Sequence, residues 1–212
     1  MRALILAAGF GTRLLPLTKN IPKCLVKIGN KPILQLWLEN LKNIGINDFT
    51  INTHYLHIKV SEFIKSSVFS HEVNIEYEKQ LLGTAGTLIK NINEKSKESL
   101  FLAHADNYTD LNLIDFVKAH NKRPKECMMT MVIFESNRPK ECGIVQIDDN
   151  NIVIEFEEKP KKPKSNLANG AIYILSKKIQ EILKKEYFSA KDFSAEVLNQ
   201  FIGKIFTYKV DN

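Results

Sequence analysis

Ala3-Leu4-Ile5-Leu6-Ala7-Ala8-Gly9-Phe10-Gly11-Thr12-Arg13-Leu14, followed by Pro22-Lys23, frames the reading of the whole chain. Its first part, Ala3 to Ala7, is an apolar run of strand length. Its second part is a glycine-bearing loop that leaves the strand at its C-terminal end, where open α/β sheets receive their ligands. Gly9 and Gly11 carry no Cβ, so the backbone can turn tightly and bring N–H groups against phosphate oxygens. Thr12 can donate a hydroxyl, Arg13 offers a planar fork, and Lys23 adds a compact positive charge. The P-loop pattern GxxxxGK[ST] is absent, and the dinucleotide pattern GxGxxG would need a glycine where Leu14 stands. A lone GxG pair also suits an ordinary tight turn.

Outward from this loop, apolar runs alternate with helix-period segments. Ile33, Leu34, Leu36, Trp37, Leu38, Leu41 and Ile44 recur at helical spacing after Pro32, and Gly45 supplies a stop. Asp48 to Thr53 reads as a strand, Ile58 to Ser66 as a helix and Val73 to Tyr77 as a short strand. A helix over Thr84 to Ile92, a buried strand over Ser99 to Ala105 and a helix over Leu111 to His120 follow. This alternation predicts βαβ units, a mostly parallel sheet and helices on both faces. After Pro124 the rhythm changes. Met128 to Phe134 is β-prone, and Gly143–Ile147 and Ile152–Phe156 flank the turn signal Asp148-Asp149-Asn150-Asn151, which predicts a hairpin. Ala171 to Leu175 reads as strand, Lys177 to Lys184 and Ser194 to Phe201 as helices, and Ile205 to Val210 as a closing strand. With no repeat and no long linker, residues 1–212 read as one domain: a Rossmann-like half over 1–123 and a more antiparallel half over 124–212.

Composition sets the outer bounds. Hydrophobic residues make up 44% of the 212 and charged residues 25%, enough for a core of useful size. No apolar run approaches the ~20 residues of a membrane span, and the N-terminal run is too short for a secretory core. Cys24, Cys127 and Cys142 show no CxxC spacing, which argues against a zinc site or a disulfide framework and for reduced thiols in the cytoplasm. The net charge of +6 fits phosphorylated small molecules as well as nucleic acid. No recognition-helix or RNA-binding signature accompanies it, so neither nucleic acid nor membrane is expected as a partner.

Three further segments carry chemistry. Leu82-Gly83-Thr84-Ala85-Gly86-Thr87 opens a helix, where glycines permit close approach and unpaired N–H groups await a ligand; small residues packing a helix entry are the plainer reading. Asp106 follows a buried strand, at the edge where a carboxylate can hold Mg²⁺ opposite a phosphate loop. A helix cap competes for that region, though Asp110 suits the cap better. Glu158, Lys159 and Asn169 supply the carboxylate, cation and amide that a sugar phosphate requires. The wider basic run Lys159 to Lys164 by itself reads as a solvated loop.

In series, these segments resemble the sugar-1-phosphate nucleotidyltransferases along almost the whole chain. The resemblance implies a GT-A-like α/β fold with a smaller antiparallel, sugar-binding portion. It implies that Leu6, Ala7, Ala8, Gly9, Gly11, Thr12 and Arg13 hold the nucleotide and Gly83 its base. Arg13, Lys23 and Asp106 would be catalytic, with Asp106 binding Mg²⁺, while Gly143, Glu158, Lys159 and Asn169 would contact the sugar phosphate. The LGTAG segment is most similar to that of mannose- or heptose-1-phosphate guanylyltransferases, which makes GTP the first choice of NTP. Cytidylyl, uridylyl or thymidylyl transfer to another sugar phosphate or a phosphorylated alcohol is the alternative, and a catalytically silent nucleotide-binding domain is a second one. A dehydrogenase would also need an acidic residue at the end of the second strand, where Thr50 to Thr53 stands. Family members continue past a strand like Phe206 to Val210 into a segment with a second metal-binding aspartate followed by Gly-Thr. The expectation is therefore a C-terminally truncated second half; Asp211 stands nearby without matching the motif. A homo-oligomer is allowed and not specified.

Overall fold

The computed structural model describes residues 1–210. In chain order the elements are β1 (Arg2–Leu6), β2 (Lys27–Ile28), β3 (Lys31–Pro32), α1 (Ile33–Asn43), β4 (Phe49–Thr53), α2 (His57–Lys65), β5 (Val73–Tyr77) and α3 (Gly83–Lys90). There follow β6 (Leu100–His104), α4 (Leu113–Lys122), β7 (Met129–Glu135), β8 (Gly143–Ile147), β9 (Val153–Glu158), β10 (Leu167–Leu175), α5 (Lys177–Glu186) and β11 (Ile205–Lys209). The expected class, an α/β fold with a mostly parallel sheet flanked by helices and a smaller antiparallel part, is the one found. Two compact units divide the chain. One comprises Met1–Leu82 and Leu102–Leu113, the other Gly83–Phe101 and the described residues from Ile114 onward.

In the first unit β1 pairs parallel with β4 (Ala3 opposite Phe49), and β4 pairs parallel with β5 (Phe49 opposite Val73). β6 lies on the other side of β1. All five residues of β4 and four of the five in β1 are buried, the pattern of strands covered on both faces. α1 buries Ile33, Leu34, Trp37, Leu38 and Leu41, the stripe its periodicity predicts. It stops where Gly45 takes a left-handed conformation (φ +86°) that a Cβ would disfavour, and Ile46 N–H returns to the Leu41 carbonyl. The loops that leave β1, β4, β5 and β6 thus emerge from the C-terminal ends of neighbouring strands.

In the second unit β7 is flanked by β11, parallel, and β10, antiparallel. β8 pairs with β10 and forms a hairpin with β9. Asp148 closes that hairpin, its Oδ1 accepting from the N–H groups of Asn150 and Ile152. β10 has a register shift between Asn169 and Tyr173, where Ala171 adopts φ +53°.

Three expectations need correction. Ser194 to Phe201 is no regular helix: it divides into a π turn (Phe193–Val197) and a 3₁₀ turn (Leu198–Phe201). Both turns bury the same apolar side chains an α-helix would have buried. The strand expected at Ala171 begins at Leu167, because the bulge carries it through the Asn-Gly pair that reads as a turn. α4 begins at Leu113, so Asp110 lies ahead of the cap position, and Thr109 Oγ1 accepts from Leu111 N–H instead.

Candidate active site

Leu6 ends β1, and the loop beyond it folds into short 3₁₀ turns, Thr12–Leu14, Leu17–Lys19 and Lys23–Leu25. Gly11 is the hinge, with φ +68°. A Cβ there would lie 3.0 Å from Thr18 Cγ2 and 3.2 Å from Lys23 Cβ, so a side chain would be strained by conformation and would have to displace these neighbours slightly. Thr18, fully buried, donates its hydroxyl to the Gly11 carbonyl at 2.7 Å. Ala7 is partly covered and Ala8 buried, whereas Gly9, Thr12 and Arg13 are exposed, with backbone and guanidinium open to a ligand.

Lys23 enters from the turn after Pro22, and Asp106 follows Ala105, whose N–H bonds to the Leu6 carbonyl at 2.9 Å. The Lys23 ammonium pairs with Asp106 Oδ2. The two side chains keep 24% and 27% of their surface in solvent, so each remains within reach of a substrate. Behind them Cys24 is buried, and desolvation above all pushes its thiol up to about 12, a backbone hydrogen bond opposing this and the Asp106 charge contributing to it. That sulfur is neutral at ordinary pH and serves as packing.

Two residues missed in the sequence stand behind the same loop. Asn52 Oδ1 accepts from Ala7 N–H at 2.8 Å, and its amide donates to Glu78 Oε1 at 2.9 Å. Both side chains are buried. The available signal was an amide in β4, a strand whose five residues are all buried, so that its polar atoms have to be satisfied where they lie.

The second unit holds the other candidates. Gly83 has φ +78°, and a Cβ on it would meet the Lys191 carbonyl oxygen at 2.3 Å. That carbonyl accepts from Ala85 N–H at 2.9 Å, so it occupies one of the donors at the α3 N-terminus. Thr84 Oγ1 in turn accepts from Phe193 N–H at 2.7 Å. Gly143 pairs with Glu158 across the hairpin, and a Cβ at Gly143 would lie 2.7 Å from Glu158 Oε2. The Glu158 carboxyl sits above its ordinary range, chiefly because of partial burial; Lys159 offsets this and Asp192 adds to it. Lys159 takes the left-handed conformation (φ +48°) just before Pro160. Its amine lies 3.7 Å from Glu158 and stays largely exposed. Asn169 and the buried Tyr173 hydroxyl are mutually bonded at 2.6 and 2.9 Å, and Asn169 Oδ1 also accepts from Ala171 N–H, which ties the amide to the bulge. Burial drives the Tyr173 phenol above its usual range, so it acts as a neutral hydrogen-bonding group. The hairpin thus sets Gly143 and Glu158 side by side, with Lys159 next in sequence, and the bulge fixes Asn169.

Among the described residues no helix is long and apolar enough to cross a membrane, and no group of three acidic, histidine or cysteine side chains gathers to hold a metal. Asp211, the weak candidate for a second metal ligand, lies outside the described residues.

A glycine loop at the C-terminal edge of a parallel sheet, with an amine and a carboxylate facing each other there, is the kind of place where α/β proteins receive phosphorylated ligands. The chain belongs to the nucleotidyl transferase family, whose sequence model matches residues 2–209. A D-glycero-α-D-manno-heptose 1-phosphate guanylyltransferase from Campylobacter jejuni is 34% identical over 92% of this chain and 86% of the relative. A mannose-1-phosphate guanyltransferase from Saccharomyces cerevisiae is 33% identical over 86% of this chain, which spans 52% of that relative. Other mannose-1-phosphate relatives are likewise matched over about half their length. A Bacillus anthracis protein provisionally assigned as a glucose-1-phosphate thymidylyltransferase, crystallised with sucrose, shares the fold at a TM-score of 0.86 and 23% identity. It is matched over 99% of this chain and 87% of its own.

Proposed function

We propose that the chain transfers a nucleotidyl group, GMP from GTP in the first instance, to a sugar 1-phosphate of the mannose or heptose type, releasing pyrophosphate. The observation that carries this reading is the pairing of Lys23 with Asp106 beside the Gly11 hinge. The preference for guanine and for these sugars rests on the named activities of the Campylobacter and Saccharomyces relatives.

An oxygen of the sugar 1-phosphate attacks the α-phosphorus, the new P–O bond forms in line, and the bond to the β-phosphate breaks. The acceptor is already an anion and the leaving group departs as one, so no side chain has to move a proton. The chain's contribution is alignment and charge stabilisation. Backbone N–H groups of the loop from Ala8 to Thr12 cradle the phosphates, Arg13 meets the leaving phosphates, and Lys23 meets the reacting one. The resemblance assigns Gly83 to the base, although the space beside its Cα is filled by the Lys191 carbonyl. Gly143, Glu158 and Asn169 hold the sugar hydroxyls, and Lys159 its phosphate. Magnesium fits the donor chemistry, because it commonly takes only one or two protein carboxylates and completes its shell with phosphates and water. Asp106 would hold it, and the ion would neutralise charge on the phosphate oxygens. We read the chain as a single nucleotidyltransferase domain acting in the cytoplasm.

The test is to incubate the chain with each NTP against a panel of sugar 1-phosphates and to measure pyrophosphate. GTP with mannose or heptose 1-phosphate is expected to give the highest turnover. Release with no NTP on any sugar phosphate would overturn the reading.

A further inference from the structure

Asn52 is the penultimate residue of β4, opposite Leu6 on β1 and Glu76 on β5, and is 3% exposed. An amide is a poor choice for a buried strand unless its polar atoms are satisfied. Here they join separate segments. Oδ1 receives Ala7 N–H at 2.8 Å, where the phosphate loop leaves β1. Nδ2 donates to Glu78 Oε1 at 2.9 Å. Glu78, also 3% exposed, receives Leu82 N–H on its other oxygen at 3.1 Å, while its own N–H is fixed on the Thr53 carbonyl at 2.9 Å. An apolar pair of similar size would hold the strands together equally well. What the polar pair adds is one defined position for Ala7 and for Leu82, the residue ahead of Gly83.

We propose that Asn52, braced by Glu78, is a positioning residue that sets the phosphate loop at its root and ties that root to Leu82. The proposal rests on the loop being the NTP site. Asn52 acts through Ala7 and not on the reacting atoms, so its loss disturbs nucleotide alignment and leaves the sugar side alone.

The test exchanges the two functional groups. Asn52→Asp removes the donor to Glu78, and Glu78→Gln leaves a single acceptor oxygen for the Asn52 amide and Leu82 N–H. Each single variant is expected to lower kcat/KM for the NTP by about 10²-fold, the cost of a misplacement of roughly 1 Å, with KM for the sugar phosphate within about twofold of wild type. The double variant Asn52→Asp/Glu78→Gln rebuilds the three bonds just described, with only the one between residues 52 and 78 reversed in direction. The new carboxylate accepts from Ala7 N–H and from the new amide, whose oxygen accepts from Leu82 N–H. It is expected to return NTP kcat/KM to within about threefold of wild type, a coupling that independent sites do not show. Asn52→Asp alone should recover in part at low pH, where one proton shared between the two carboxyls replaces the lost donor. Singles that match wild type, or a folded double variant as impaired as the singles, overturn the proposal. If a single variant does not fold, the double variant decides alone on the same readout. Amide hydrogen exchange at Ala7 and Leu82 separates this proposal from the assigned reaction. Faster exchange in the singles and wild-type protection in the double support the network whether or not any NTP is turned over; unchanged exchange in the singles refutes it.

Discussion

Gly83→Ala and Gly203→Ala form a matched pair, because both glycines sit at φ +78° and only their surroundings differ. Nothing lies within 4 Å of a Cβ placed on Gly203. Its replacement therefore costs only the left-handed conformation, about 1 kcal/mol. A Cβ on Gly83 falls 2.3 Å from the Lys191 carbonyl oxygen, well inside the 3.0 Å that real Cβ atoms respect. The obstacle is backbone, so it cannot rotate away. Forced packing of this kind costs about 1–3 kcal/mol. Displacing Lys191 also weakens the bond its carbonyl accepts from Ala85 N–H, worth about 1 kcal/mol. The sum is roughly 3–5 kcal/mol for Gly83→Ala against about 1 for Gly203→Ala. At about 2–4 °C per kcal/mol for a chain of this size, the midpoints should fall by roughly 6–20 °C and 2–4 °C. Thermal denaturation followed by far-UV circular dichroism measures both. Equal shifts in the two variants would show that the Lys191 approach carries no energy and that Gly83 is present for conformation alone.

Lys23→Ala should reduce kcat by about 10²-fold or more in the pyrophosphate-release assay, the usual cost of a lost transition-state charge partner; near-normal turnover would remove Lys23 from the chemistry. Gly143→Ala would bring a methyl 2.7 Å from Glu158 Oε2 and 2.8 Å from the Phe156 ring. It should raise KM for the sugar phosphate by about tenfold or more and leave KM for the NTP unchanged, which varying each substrate in turn would decide. His120, 1% exposed and bonded to Thr130 Oγ1 at 2.9 Å, is held down at about 3, first by burial and then by the Arg123 charge. The unfolded chain takes up this proton near pH 6.5, so stability that is complete above that pH drains away as pH falls toward 3, by up to about 1.4 kcal/mol per unit. His120→Gln should flatten that part of the curve in urea titrations at pH 7 and pH 5, and an unaltered slope would contradict the assignment.

The Rossmann-like half was legible because period and punctuation agree. Trp37, Leu38 and Leu41 mark one face of α1, Gly45 ends it, and the β-prone Phe49-Thr50-Ile51 marks β4, whose continuous burial the structure shows. Phe193, Val197, Leu198 and Phe201 recur at a spacing that α, π and 3₁₀ turns all bury, so the pattern showed the apolar face without the helix type. The Asn169-Gly170 pair signals a turn locally, yet pairing with β7 on both sides carries the strand through it as a bulge. Lys23 and Asp106 could be singled out one by one, but their pairing spans 83 positions and depends on sheet order. Asn52 and Glu78 went unread for a similar reason: their partners come from three separate segments, and no short motif encodes such a meeting.

The volumes that Gly83 and Gly143 leave empty belong to other atoms, a backbone oxygen in one case and a carboxylate in the other. A missing methyl group is therefore a record of a distant neighbour. When a kindred sequence shows alanine or serine at one of these places, the segment corresponding to Lys191, or the acid corresponding to Glu158, must have withdrawn. Two letters thus let a reader sort homologues by whether they keep this local architecture, before any of them is crystallised or assayed.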